Sequence, residues 1–399
     1  MWDVLSLGLT VADGLVGIPV AVFGVEVLVA RAPSRPSSRP EPARGELGAA
    51  AIVIPAHNES AGILPTLEDL TPQLEGDDRL VVVADNCTDD TAAVAASAGA
   101  EVIRRDDLSR IGKGYALAFG IDHLAVRPPR FVIFVDADCR VSPGAIAQLR
   151  AACAAGGRPV QAAYLMRPPA RSAVDHRLAE FAWIVKNWVR PLGLWRLGGP
   201  VQLMGAGMVF AWSDIRAVPL SSGHLVEDLK LGLDLALIGK PPSFLPSATV
   251  TSEFPATASG AETQRQRWVR GHLGVIAHYV PRLVWRALTR RSPALLVMAL
   301  DLAVPPLSLL IVLALGMVAT SAFGVAFGAS PVALALAAVN FGVLSAALAV
   351  AWGVFGGRAL TPVAIPTPIG LLIWQKCKFY GRLLLGKTSR QWIRTDRSR

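Results

Sequence analysis

The apolar positions of this chain fall into two regimes. Between about residues 45 and 280 they come in short bursts separated by polar turns and stretches of helical spacing; in 5–30 and 294–356 they form long runs. The bursts Ala49–Pro55, Arg79–Ala84, Glu101–Ile103 and Phe131–Val135 predict strands. Helices are expected over Ala61–Leu70, Thr91–Ala98, Tyr115–Leu124 and Leu229–Ile238. Strand and helix alternate, which predicts an α/β domain with a mostly parallel sheet. Ser60 is expected to cap the first helix, and Asp89 or Asp90 the second.

The long runs have a different physical meaning. Leu5–Ala30 exceeds the roughly 20 residues that cross a bilayer, although Asp13 and Glu26 interrupt it. It lacks a preceding basic segment and is too long for a signal-peptide core, so it reads as a retained span. Arg31, Arg35, Arg39 and Arg44 follow it, which places the N-terminus outside and the chain from residue 31 in the cytosol. Further spans are expected at about 294–317 and 331–355. Pro305-Pro306 should kink or break the first of these, and Asp301 within it should face protein or a polar path, since facing lipid costs about 2.5 kcal/mol or more. The shorter run 359–374 carries Pro362, Pro366 and Pro368. It reads as re-entrant or interfacial, because a crossing there would carry the basic tail outside. That tail is expected to lie in the cytosol against anionic membrane lipids. The organisation read from sequence is a transmembrane helix (1–31), a Pro/Ser/Arg-rich linker (32–48), a cytosolic domain (49–280) and a C-terminal membrane region with its tail (281–399). The chain is expected to be a multi-pass protein of the plasma or inner membrane.

Composition agrees with a partly membrane-embedded chain: 52% of residues are hydrophobic and 17% charged, against about 25% charged in average soluble domains. The net charge of +9 comes from basic residues flanking the apolar runs. No basic patch interleaved with aromatics is evident, so nucleic acid is not an expected partner. Cys87, Cys139, Cys153 and Cys377 are scattered without metal-ligand spacing, which fits free thiols and argues against zinc. Gly112-Lys113-Gly114 lacks the lead of a P-loop, and Gly205-Ala206-Gly207 lacks the third glycine of a dinucleotide fingerprint.

The chemistry concentrates at strand ends. Phe131-Val132-Ile133-Phe134-Val135 runs into Asp136-Ala137-Asp138. Carboxylates at the C-terminal edge of such a strand suit a hard divalent cation, Mg²⁺ or Mn²⁺, that also takes substrate phosphates. Together with Ile54-Pro55-Ala56-His57-Asn58-Glu59, Ala84-Asp85-Asn86, Gly112-Lys113-Gly114, Gly205-Ala206-Gly207, Glu227-Asp228 and Gln264-Arg265-Gln266-Arg267-Trp268, all in this order, the chain resembles the membrane-bound family-2 glycosyltransferases with a GT-A fold. That group includes cellulose, hyaluronan and poly-N-acetylglucosamine synthases and ceramide glucosyltransferase.

The resemblance implies roles. Pro55, His57 and Glu59 would cradle the base and ribose of a nucleotide-sugar donor, and Asp85 would accept from a nucleobase N–H. Lys113 would face the nucleotide or its phosphates; an exposed turn lysine is the alternative. Asp138, with Asp136, would hold the metal, and Asp136 could also touch ribose. Gly205 would lie near the acceptor. Asp228 would be the general base, with Glu227 orienting it or raising its pKa; a helix-capping aspartate is the competing reading. Gln264, Arg267 and Trp268 share a helix face, with Arg267 on the diphosphate and Trp268 stacked on an acceptor sugar. Arg270 and Trp285 fit a membrane-surface anchor, and Arg265 fits either role. The implied function is inverting transfer, from a UDP-sugar in particular, to a saccharide acceptor in surface or exopolysaccharide synthesis. Transfer to a lipid acceptor is the alternative, and a non-catalytic nucleotide-sugar-binding protein the second. Two to three spans do not line a polymer channel, so polymer export implies an oligomer or a partner membrane protein.

Overall fold

In the computed structural model, residues 2–32, 47–169, 176–356 and 369–384 are described. They form two compact units, one holding 2–32, 177–197 and the stretch from 272 onward, the other 47–176 and 198–271. Residues 177–197, inside the stretch 49–280 read from sequence as one domain, group with the first unit, and the boundary at the far end falls at Gly271/His272.

The second unit is built on an eight-stranded sheet: β1 Ala50–Ala56, β2 Arg79–Asp85, β3 Glu101–Arg105, β4 Phe131–Phe134, β5 Arg140–Val141, β6 Val160–Arg167, β7 Met208–Ala211 and β8 Ser243–Glu253. Their spatial order is β3-β2-β1-β4-β7-β6-β8-β5. The strands β3, β2, β1 and β4 are parallel, as are β6 and β8, while β7 and β5 run antiparallel to their neighbours. The mostly parallel sheet expected from the alternating pattern is therefore present. In β1 and β4 nearly every side chain is buried, as continuous β-branched and aromatic runs require when helices cover both faces. Helix Lys113–Leu124 packs Ala116, Leu117, Ile121 and Leu124 onto Val53, Val83 and Phe134. Each such buried aliphatic side chain contributes about 1.5–3 kcal/mol.

The turn after β1 is longer than expected. The next helix starts at Ile63 with Gly62 at its N-cap and no side-chain cap. Ser60 is not the cap: its backbone N–H donates to Asp89 Oδ2 (3.1 Å). Asp89 also accepts from the backbone N–H and hydroxyl of Thr91, so this carboxylate ties the β1 and β2 turns together. Asp90 is the N-cap residue of helix Thr91–Ser97, without a side-chain bond.

The first unit is helical. Asp3–Ala30, Leu307–Ala326 and Pro331–Gly356 are long and apolar enough to cross a membrane. The expected span at 294–317 is two helices, Pro293–Ala303 and Leu307–Ala326. Pro305-Pro306 breaks it, as proline removes backbone donors and clashes with the preceding turn. The expected re-entrant run 359–374 lies outside the described residues up to 368; helix Ile369–Leu384 begins within it. Residues 33–46 of the linker and the tail beyond 384 are also outside them.

Within this unit the interrupting acids have partners. Asp13 accepts from the Ser321 hydroxyl (3.0 Å), and its backbone carbonyl accepts from Asn340 Nδ2 (2.9 Å). Arg190 donates from Nε to Glu26 and from Nη2 to Asp301, each at 2.5 Å. Asp301 thus faces protein, as its expected lipid cost demanded. A Cβ at Gly193 would lie 2.0 Å from the Glu26 carbonyl oxygen, so only glycine permits this approach.

Candidate active site

Parallel strands β1, β2 and β4 end at one edge of the sheet, where open α/β sheets bind ligands. Their following turns carry His57–Glu59, Asp85–Asp89 and Asp136–Asp138. This is why motifs far apart in sequence converge.

On the β1/β2 side, His57 Nδ1 is 2.7 Å from the Asp85 carbonyl oxygen. Asn58 and Asn86 adopt left-handed backbone (φ 55° and 51°), a conformation asparagine tolerates better than most residues. Asn58 is held by Thr88 through Oδ1 (2.7 Å) and Nδ2 (3.1 Å), and the Glu59 N–H donates to Thr91 Oγ1 (2.7 Å). Pro55 is the penultimate residue of β1, half-buried at this edge. Asp85 is buried, and burial raises its pKa against the pull of Arg105, which donates to Oδ1 (2.5 Å). Arg105 also reaches Asp107 (3.1 Å) and the Arg110 carbonyl (2.8 Å). The sequence reading missed Arg105; an arginine at the end of a third strand was the available signal.

Lys113 gathers the other motifs. Its Nζ pairs with Asp136, donates to the Gly205 carbonyl (2.8 Å) and lies 3.9 Å from Glu227 Oε1. It is an interior counter-ion rather than an exposed turn lysine, with its side chain 21% exposed. Burial works against the charged amine, but Asp136, Glu227 and Asp228 outweigh it and hold its pKa above the usual lysine value. Gly205 supplies the carbonyl because it adopts φ +106°, and a Cβ there would sit 3.2 Å from Asp228 Oδ2. Gly207 (φ +69°) would place a Cβ 2.7 Å from Val250 and 2.8 Å from Ala162, so the glycine pair lets this segment press against β6 and β8. Glu227 and Asp228 open helix Glu227–Leu237. Burial first, then the Asp228 charge, pushes Glu227 up to about 7. The raised carboxyl is thus Glu227 itself, the residue expected to tune its neighbour. Lys113, Glu227, Asp228 and Lys230 line one pocket with Leu117, Leu220 and Leu231.

Asp136, Asp138 and Cys139 have ligand atoms within 4.8 Å of one another. Cys139 is fully buried, burial pushes its thiol well up, and its soft sulfur suits Mg²⁺ or Mn²⁺ poorly. Two hard carboxylates remain, a donor set that fits Mg²⁺ or Mn²⁺.

Helix Ala258–Arg290 carries Gln264, Arg267 and Trp268. It packs closely on the segment before Glu227: a Cβ at Gly271 would be 2.8 Å from Val226. Gln264 is buried, and Arg267 Nε is buried without a hydrogen-bond partner among the described residues. Such a donor costs about 1–3 kcal/mol if nothing fills it.

The model of "Glycosyltransferase like family 2" matches residues 48–271, more than half of the chain. The chain belongs to this family. It has the GT-A glycosyltransferase fold with a mostly parallel sheet, and apolar helices near both termini that are long enough to cross a membrane. Among solved structures, a mannosyltransferase from Pyrobaculum calidifontis, in complex with GDP-Man and Mn²⁺, is similar over 88% of this chain and 97% of its own, with a TM-score of 0.51 and 18% identity. Glucosyl-3-phosphoglycerate synthase of Mycobacterium tuberculosis, in complex with Mn²⁺, UDP and glucosyl-3-phosphoglycerate, aligns over 58% of this chain and 85% of its own (TM-score 0.40, 22% identity). In sequence, glucosyl-3-phosphoglycerate synthases of M. tuberculosis and M. bovis are 36% identical over 106 residues, covering 24% of this chain. The match spans about a third of the length of those relatives (32%).

Proposed function

We propose that this chain is a membrane-bound inverting glycosyltransferase of the plasma or inner membrane. It moves a hexosyl or N-acetylhexosaminyl group from a UDP-sugar, on the cytosolic side, to a hydroxyl of a growing saccharide. The observation that carries this reading is the convergence of Asp136, Gly205, Glu227 and Asp228 on Lys113. Family membership supplies the reaction class.

The residues divide the work. Pro55, His57, Glu59 and Asp85 receive the base and ribose. Asp136 and Asp138 hold Mg²⁺ or Mn²⁺, which supplies Lewis-acid neutralisation of the departing diphosphate. The orphan Nε of Arg267 is available to a diphosphate oxygen, a charge-assisted bond in a buried place. Asp228 accepts the proton of the acceptor hydroxyl. The acceptor oxygen bonds to the anomeric carbon from the face opposite the diphosphate, and the carbon–oxygen bond to the diphosphate breaks with its electron pair. Glu227 keeps a proton over part of the neutral range and donates a hydrogen bond. Trp268 offers its ring face to the acceptor sugar.

A second reading, transfer to a membrane lipid, is favoured by one observation. Three helices of crossing length among the described residues are few for a polymer channel, so polymer export would need further copies or a partner protein.

The test is to incubate detergent-solubilised full-length protein with Mn²⁺ and a panel of radiolabelled UDP-sugars plus GDP-mannose, then sort product into polymer, lipid and small molecules. Metal-dependent label in polymer is expected. Label in lipid alone selects the second reading, and transfer that persists in excess chelator contradicts the metal role.

A further inference from the structure

Asp138 does not stand alone at the strand edge. Its Oδ2 accepts a hydrogen bond from Ser252 Oγ at 2.7 Å. Ser252 is buried near the end of β8, 114 residues away in sequence. Short strand β5 explains the meeting. It pairs antiparallel with β8, Arg140 opposite Thr251, so the residues just before β5 are carried to the residues just after Thr251.

Behind Ser252 lies Tyr164. In the parallel β6/β8 register Tyr164 is opposite Val250 and Met166 opposite Ser252. Tyr164 and Ser252 are therefore diagonal neighbours on one face of the sheet, within reach of a long side chain. Tyr164 and Ser252 are both buried.

An ionised carboxylate only accepts, so the Ser252 hydroxyl hydrogen goes to Asp138.

We propose that Ser252 is a positioning residue for the metal-binding carboxylate. It fixes the rotation of Asp138 through Oδ2, so that the carboxylate meets a divalent cation in one orientation. This rests on the reading of Asp136 and Asp138 as the metal pair. Ser252 touches neither metal nor sugar, and removing it should loosen the ligand while leaving it in place. Partners of this kind are typically worth 10–100-fold in metal affinity or activity.

The experiment measures Mn²⁺ binding to full-length solubilised protein in the presence of UDP, by the loss of the free-ion electron paramagnetic resonance signal. Ser252→Ala is expected to weaken Mn²⁺ binding about tenfold or more, with UDP binding in the absence of metal unchanged. Ser252→Thr, which keeps the hydroxyl, should restore it. Equal Mn²⁺ affinity in wild type and Ser252→Ala overturns the inference, as does failure of the threonine to rescue. If wild type and Asp138→Asn bind Mn²⁺ equally, the metal-pair reading has failed instead, and the two failures are distinguishable.

Discussion

Glu227→Gln isolates the electrostatics of the site in a single titration. Glu227 sits beside Asp228, 3.9 Å from the Lys113 amine and with its side chain 18% exposed. Its pKa rises from 4.5 to about 7, by burial first and Asp228 second. A raised folded-state pKa means that the folded protein holds the proton more tightly than the unfolded chain. Stability from this group is therefore fully present below pH 4.5 and is lost as pH climbs through 7. At about 1.36 kcal/mol per pKa unit, the penalty of ionising it approaches roughly 3 kcal/mol above pH 8. Glutamine keeps the shape and the donor and removes the titration. The assay is thermal unfolding of metal-free, detergent-solubilised wild type and Glu227→Gln from pH 5 to 8.5. A domain of 150–250 residues shifts about 2–4 °C per kcal/mol. Wild type should thus lose about 6–12 °C more than the variant across that range, corresponding to the roughly 3 kcal/mol linkage. Parallel curves refute the reasoning, because they would mean that Glu227 ionises in the folded protein as easily as in the unfolded chain.

Asp228→Asn should retain donor binding by calorimetry and lose transfer by about 10²-fold or more; near-normal turnover removes it as the base. Trp268→Ala should raise the KM for acceptor while leaving UDP affinity unchanged, and the opposite split counts against stacking. Arg190→Leu should destabilise the helical unit by about 3–5 kcal/mol, because it strands Glu26 and Asp301 together in the interior. Adding Glu26→Gln and Asp301→Asn should recover resistance to thermal aggregation in detergent, and no recovery would show that the arginine acts by packing alone.

Much of the site was legible because its motifs lie at element boundaries. An apolar burst followed by a polar turn marks a strand end, and β1, β2 and β4 each put their acidic or polar residues there. The apolar runs likewise announced helices of membrane-crossing length, and Pro305-Pro306 announced the break between two of them. The resemblance supplied the roles that spacing alone left open for Lys113, Asp228 and Arg267. The turn after β1 was misread, since Ser60 has the chemistry of a cap and nothing local reveals that Asp89, across the sheet, would take its backbone N–H.

Local pattern therefore determined the strands, the helices, the apolar segments and the order of the chemical groups, because side-chain periodicity and turn chemistry act over a few residues. Only the tertiary structure decided the pairings. The binding of Lys113 to Asp136 and Gly205, of Arg105 to Asp85, of Arg190 to Glu26 and Asp301, and of Ser252 to Asp138 all join residues far apart in the chain. A charge or hydroxyl looks the same in sequence whether it faces water or a carboxylate. Its partner is chosen by sheet order and register, and the low dielectric of the interior then makes that choice costly to undo.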